Sequence, residues 1–195
     1  MRDADIRAAV LRTLHDRFDA DGETRIVEEM GVWSGSVRID VAVINGELHG
    51  FELKSARDTL ERLRGQATLY NQVFDRVTLV TAERHIPSAS KDIPNWWGVT
   101  VAYSDAAGAT ALREIIAPSC NPNIEPLQLA RLLWRDEALA LLTRYGIDRG
   151  VRSGTVEAIA ARLAERLPLH TLGLEVRTTL KTRAGWLGQP IRHER

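Results

Sequence analysis

Asp40 and, after eleven intervening residues, the triplet Glu52-Leu53-Lys54 are the side chains of this sequence best suited to chemistry. Asp40 interrupts Val37-Arg38-Ile39-Asp40-Val41-Ala42-Val43-Ile44, a run apolar on both strand faces and so the pattern of a strand buried on both sides. An ionised carboxylate there is costly unless a cation or strong donors meet it. Glu52 and Lys54 lie two apart on the next apolar run, hence on one face of a strand. Two carboxylates and an ammonium in an apolar sheet suit a divalent cation better than they suit packing.

Lys54 is conspicuous for a second reason. Of 26 basic residues only three are lysines, Lys54, Lys91 and Lys181. Arginine stays protonated throughout, whereas a buried lysine shifts its pKa and can assist proton transfer.

These side chains meet only if the connecting turn sets the right register. Ile44-Asn45-Gly46-Glu47 is a hairpin signal, and Asn-Gly ordinarily makes a two-residue type I′ loop. That loop would set Asp40 opposite Phe51 and turn Glu52 to the other face. A three-residue loop ending in a left-handed Gly46 shifts the register, with Asp40 expected opposite Gly50 and Glu52 diagonal to it on the same face. The chemistry therefore requires the longer turn.

Further elements frame the hairpin. Ile6, Val10, Leu14 and Phe18 share one face of an opening helix over 3–18, and Thr24 to Met30 reads as a first strand. A helix is expected from about Asp58 to Phe74, capped by Ser55 or Asp58 with Glu61 completing a box. It carries Arg62, Gln66 and Tyr70 at i, i+4 and i+8 beside a buried stripe of Leu60, Leu63, Ala67 and Phe74. Val77–Val80 and Gly98–Tyr103 supply two more strands. The order α-β-β-β-α-β with short connections predicts an α/β fold, a mixed sheet flanked by helices.

That order, the Asp…Glu-x-Lys pair of strands and the following Gln66-x-x-x-Tyr70 resemble the PD-(D/E)xK nuclease superfamily. The Gln66–Tyr70 element is similar to the motif that follows the active site in RecB-type nucleases. The stretch from Val27 to Val80 resembles an uncharacterised bacterial family with this core and a helical C-terminal part. The superfamily resemblance covers roughly residues 1–105 and implies a restriction-endonuclease-like core that hydrolyses phosphodiester bonds, of DNA more readily than of RNA. It implies that Asp40 and Glu52 ligate Mg²⁺ or Mn²⁺ with the carbonyl of Leu53. Lys54 would then position or activate the attacking water, with Gln66 and Tyr70 part of the site. A further acid is expected on the first strand, Glu29 in preference to Glu28; many relatives place it on the first helix. Ile39 stands where a literal motif has proline.

Composition limits the alternatives. No apolar run approaches membrane-spanning length, and Met1-Arg2-Asp3-Ala4-Asp5 is no signal peptide. A single cysteine, Cys120, excludes an internal disulfide and a cysteine-rich zinc site, so a reducing cytoplasm is expected. Net charge is zero, yet residues 1–117 hold 14 basic and 18 acidic residues (−4) and residues 118–195 hold 12 and 8 (+4). Ala117-Pro118-Ser119-Cys120-Asn121-Pro122-Asn123 reads as a linker between a nuclease-like domain, 1–117, and a small all-helical domain, 118–195. Helices are expected there at roughly 124–134, 135–145, 154–167 and 171–184. Arg144, Arg149 and Arg152 flank a glycine-broken connection, and Ala138 to Leu167 distantly resembles nucleic-acid modules of the SAP type; a helical interaction domain fits equally. Leu172, Val176, Leu180 and Trp186 read as core or as the face of a homodimer. Trp33, Trp96 and Trp97 are read as packing residues before base-stacking ones, and His49 and His85 as structural or incidental.

Overall fold

A computed structural model describes residues 1–32, 35 and 37–184. Helix α1 (Asp3–Phe18) precedes strands β1 (Arg25–Val32), β2 (Val37–Ile44) and β3 (Leu48–Lys54). Helix α2 (Leu63–Tyr70), β4 (Arg76–Ala82), the single turn α3 (Ile86–Ala89), β5 (Gly98–Ser104) and β6 (Thr110–Ile116) complete the α/β part. Four helices follow: α4 (Pro126–Ala130), α5 (Arg135–Arg144), α6 (Val156–Arg166) and α7 (Leu169–Thr182).

The six strands form one mixed sheet in sequence order. β3, β4 and β5 run parallel, and the remaining neighbours are antiparallel. The apolar runs of β2, β3 and β4 follow from burial on both faces. On one face α1 packs Ile6, Val10 and Leu14 against Val41, Val43, Leu53 and Val80. On the other, α2 and the C-terminal helices share a single core with Val27, Ile39, Leu48 and Leu79, and Leu172, Val176 and Leu180 are wholly buried in it. Those three leucine and valine side chains are therefore core rather than an exposed dimer face. Trp96 and Trp97 are buried as well, the indole N–H of Trp97 donating to Asn71 Oδ1 at 2.9 Å. Trp33 and Trp186 lie outside the described residues.

Hydrogen bonds and ion pairs cross position 117. Arg76 donates to the Pro118 carbonyl, Asn121 to the carbonyls of Asn71 and Phe74, and Arg177 pairs with Asp75. Among the described residues no helix is long and apolar enough to cross a membrane.

Three local features differ from expectation. The β2–β3 turn does have three residues, but Gly46 is not in the left-handed region. Asn45 closes the turn instead: its Oδ1 accepts from the Glu47 N–H at 3.0 Å and its N–H donates to the Glu47 carbonyl at 3.1 Å, an Asx-type turn. The register pairs Ala42 with Gly50 and Val41 with Phe51. Asp40 therefore lies beyond Phe51, level with Glu52, and not opposite Gly50. Helix α2 begins at Leu63, since Asp58 spends its carboxylate on the Ser55 N–H (2.6 Å), folding 55–58 into a turn.

Candidate functional site

β3 delivers Glu52 and Lys54 to the face covered by α2, as their spacing requires, and both are almost fully buried. Lys54 Nζ donates to Glu52 Oε1 at 2.6 Å and to Gln66 Oε1 at 3.1 Å. Gln66 Nε2 donates to the same Glu52 oxygen at 2.6 Å. The Tyr70 hydroxyl lies 3.0 Å from Glu52 Oε2 and 2.6 Å from the Arg38 carbonyl, and its one proton serves one of them at a time. Burial and the neighbouring Glu52 push the Tyr70 phenol far above its ordinary pKa, so it stays a neutral donor. One turn of α2 thus brings Gln66 and Tyr70 onto one carboxylate, the i, i+4 geometry of a helix.

Asp40 arrives differently. Val27 and Met30 on β1, and Ile39 and Ala42 on β2, all belong to the core under α2 and the C-terminal helices, although each pair is three residues apart. Strict alternation forbids that. Both strands slip phase at the level of Glu29 and Asp40, and Glu29 sits at φ 52°, the left-handed region that side chains rarely adopt. The slip turns Glu28, Glu29 and Asp40 toward α1, where Arg7 waits. Arg7 Nη2 lies 2.8 Å from Asp40 Oδ1 and 2.8 Å from Glu29 Oε1, while Nη1 donates to the Asp40 carbonyl at 3.0 Å. Asp40 Oδ2 accepts the Leu53 N–H at 2.8 Å.

Burial, with Glu52 second, lifts the Asp40 carboxyl from its usual value to about 6, against the Leu53 N–H, Arg7 and Lys54, which all favour the charged form. Arg7 is the site residue that sequence reasoning missed. Its one signal is an arginine adjoining the apolar stripe of α1, next to Ile6 and within reach of Val10.

Asp40, Glu52, Lys54 and Gln66 line a cleft of about 1080 Å³ at the end of β3. Arg38, Arg57 and Arg62 stand exposed around it. The Leu53 side chain packs under α1 and its N–H serves Asp40. Glu29 is drawn to Arg7 with Glu28 farther off at 3.7 Å, so Glu29 is the acid that shares an Arg7 nitrogen with Asp40. Among the described residues no three carboxylate, histidine or cysteine side chains converge as a ready-made metal cage. His49 is half-buried, its pKa lowered to about 4 chiefly by desolvation, and it bonds Thr78 Oγ1; His85 bonds the Ser55 carbonyl.

Fold and site together define an α/β protein with a buried carboxylate–lysine–amide–phenol network at the end of a central strand. The family described as Bacteriophage P4 protein cII matches residues 1–185, and the chain belongs to that family. Protein cII of Enterobacteria phage P4 is 28% identical over 185 residues, covering 94% of this chain and 68% of that protein. Among solved structures, a protein of unknown function from Silicibacter pomeroyi covers 78% of this chain and 98% of its own at 19% identity, with a TM-score of 0.43, a likeness too loose to argue from.

Proposed function

We propose that this protein is a metal-dependent nuclease of the cytoplasm, hydrolysing phosphodiester bonds of DNA or, second to it, RNA on a restriction-endonuclease-like core. The supporting observation is the meeting of Asp40, Glu52, Lys54 and Gln66 at one cleft, with the buried Tyr70 behind Glu52. Asp40 and Glu52 would hold Mg²⁺ or Mn²⁺; two carboxylates completed by substrate phosphate and water are a donor set such ions take. The fit is supported by the lining itself, since Asp40, Glu52 and Glu29 all face the same cleft and offer the hard oxygen donors such ions prefer. When bound, the ion would polarise the phosphate and ease deprotonation of a water. Lys54 orients that water and steadies charge on the attacked phosphate. Gln66 and Tyr70 fix the rotamer of Glu52, and Arg57 and Arg62 receive flanking phosphates.

The test is incubation of the purified protein with single-stranded, duplex and branched DNA, with and without Mn²⁺, beside Asp40→Asn and Glu52→Gln. Cleavage that needs Mn²⁺ and vanishes in both variants supports the reading; no cleavage of any substrate, or unchanged cleavage by both variants, sinks it. A second reading, a non-catalytic nucleic-acid- or protein-binding module, is favoured by one observation. Both Asp40 oxygens and Glu52 Oε1 already have donors, and Glu52 Oε2 shares the Tyr70 proton with the Arg38 carbonyl. Metal-independent binding without cleavage is its signature.

A further inference from the structure

Arg7 is the side chain that holds the Asp40 carboxylate. Of the two Asp40 carboxylate oxygens, Oδ2 is committed to the Leu53 N–H, which leaves Oδ1, and Arg7 Nη2 holds Oδ1 at 2.8 Å. The same nitrogen holds Glu29 at 2.8 Å, and the Glu28 and Asp3 carboxylates lie at 3.7 Å from other nitrogens of the guanidinium. Only a fifth of the Arg7 side chain is exposed, at 19%, so these contacts are less screened than those of a surface pair. Arginine does not deprotonate, so it vacates the position only by moving. The flanking α1 residues Ile6 and Val10 are buried, which confines that movement to the side chain. The left-handed backbone of Glu29 presents its carboxylate to the guanidinium at the expense of local strain.

We infer that Arg7 is a resident competitor for the cation site: it neutralises Asp40 and Glu29 in the ion-free protein, and a divalent ion must displace it from Asp40 Oδ1. The inference rests on the metal-dependent reading above. It assigns Arg7 a role in setting ion affinity, apart from any contact with substrate.

Calorimetric titration of MnCl₂ into the wild type, Arg7→Gln, Arg7→Lys and Asp40→Asn tests it, each variant first checked for a cooperative melt. Arg7→Gln should bind Mn²⁺ about tenfold more tightly, a coupling of ordinary size. Arg7→Lys should fall between, because an ammonium cannot span the same acceptors; it also serves if the glutamine variant does not fold. Asp40→Asn should not bind. Tight wild-type binding that is unchanged or weakened in both Arg7 variants overturns the inference and leaves the nuclease reading standing. Binding by Arg7→Gln alone supports the inference and removes the native chain from the metal-dependent class. Absence of binding in all four proteins overturns both.

Discussion

Lys54 and Glu52 are a buried ion pair, and removing one partner of such a pair strands the other. Lys54→Ala is therefore expected to cost about 3–5 kcal/mol of stability as well as any cleavage. The double variant Lys54→Met/Glu52→Gln should recover much of that loss, because no unpaired charge remains. Urea unfolding of Lys54→Met, Glu52→Gln and the double variant, read as a double-mutant cycle, measures the coupling; additive losses would show that the pair does not act as one unit.

Asp40 predicts a pH dependence whose sign is set by its raised pKa. An unfolded aspartate titrates near 3.9, whereas the folded carboxyl is lifted to about 6. Between these values the folded state holds a proton that the unfolded state has released, so stability declines as pH rises from about 4 to about 6 and stays lower above. Asp40→Asn should remove this component and stabilise the ion-free protein at pH 7 relative to wild type. Thermal melts from pH 4 to 8 would show it, and equal slopes for both proteins would refute the assignment.

At the scale of elements, the glycine at the start of β5 ties the sheet to the following chain. A Cβ on Gly98 would lie 2.7 Å from Pro118 Cδ and 2.9 Å from the Pro118 nitrogen, the latter a backbone atom that cannot step aside. Gly98→Ala should cost about 1–3 kcal/mol, the usual penalty of overpacking, measured by denaturant midpoint. The hairpin and the Gln66–Tyr70 helix were legible in the sequence because strand alternation and helical spacing act over a few residues. The phase slip at Glu29 and Asp40 was not: it needs both strands at once, and a glutamate does not advertise a left-handed residue. β6 escaped for a different reason. Its residues are mostly exposed, so Arg113 and Glu114 break the apolar pattern that marks a strand. Arg7 escaped because its partners come from two strands that the sequence places 21 or more residues away.

For the whole molecule, the −4 and +4 halves read from sequence do not separate cleanly in space. Arg177 pairs with Asp75 and Lys181 with Glu23, so part of the basic surplus is spent on acids of the other half. The C-terminal helices cover Val27, Ile39, Leu48 and Leu79 of the sheet. A fragment ending at residue 117 should therefore expose a broad apolar face, bind a hydrophobic dye and associate. Near-ultraviolet circular dichroism and light scattering would check this; a monomeric fragment with a cooperative melt would show that the sheet stands without its helices.

β6 closes one side of the sheet and has no further strand beside it among the described residues. Its outer row of backbone N–H and C=O groups is a template on which another extended chain can crystallise, and Ile115 and Ile116 are about half exposed along it. Arg113 and Glu114, the residues that hid this strand from view, are also the charges that interrupt it. What obscures the strand in the sequence is thus what keeps separate molecules from zipping together as their concentration rises.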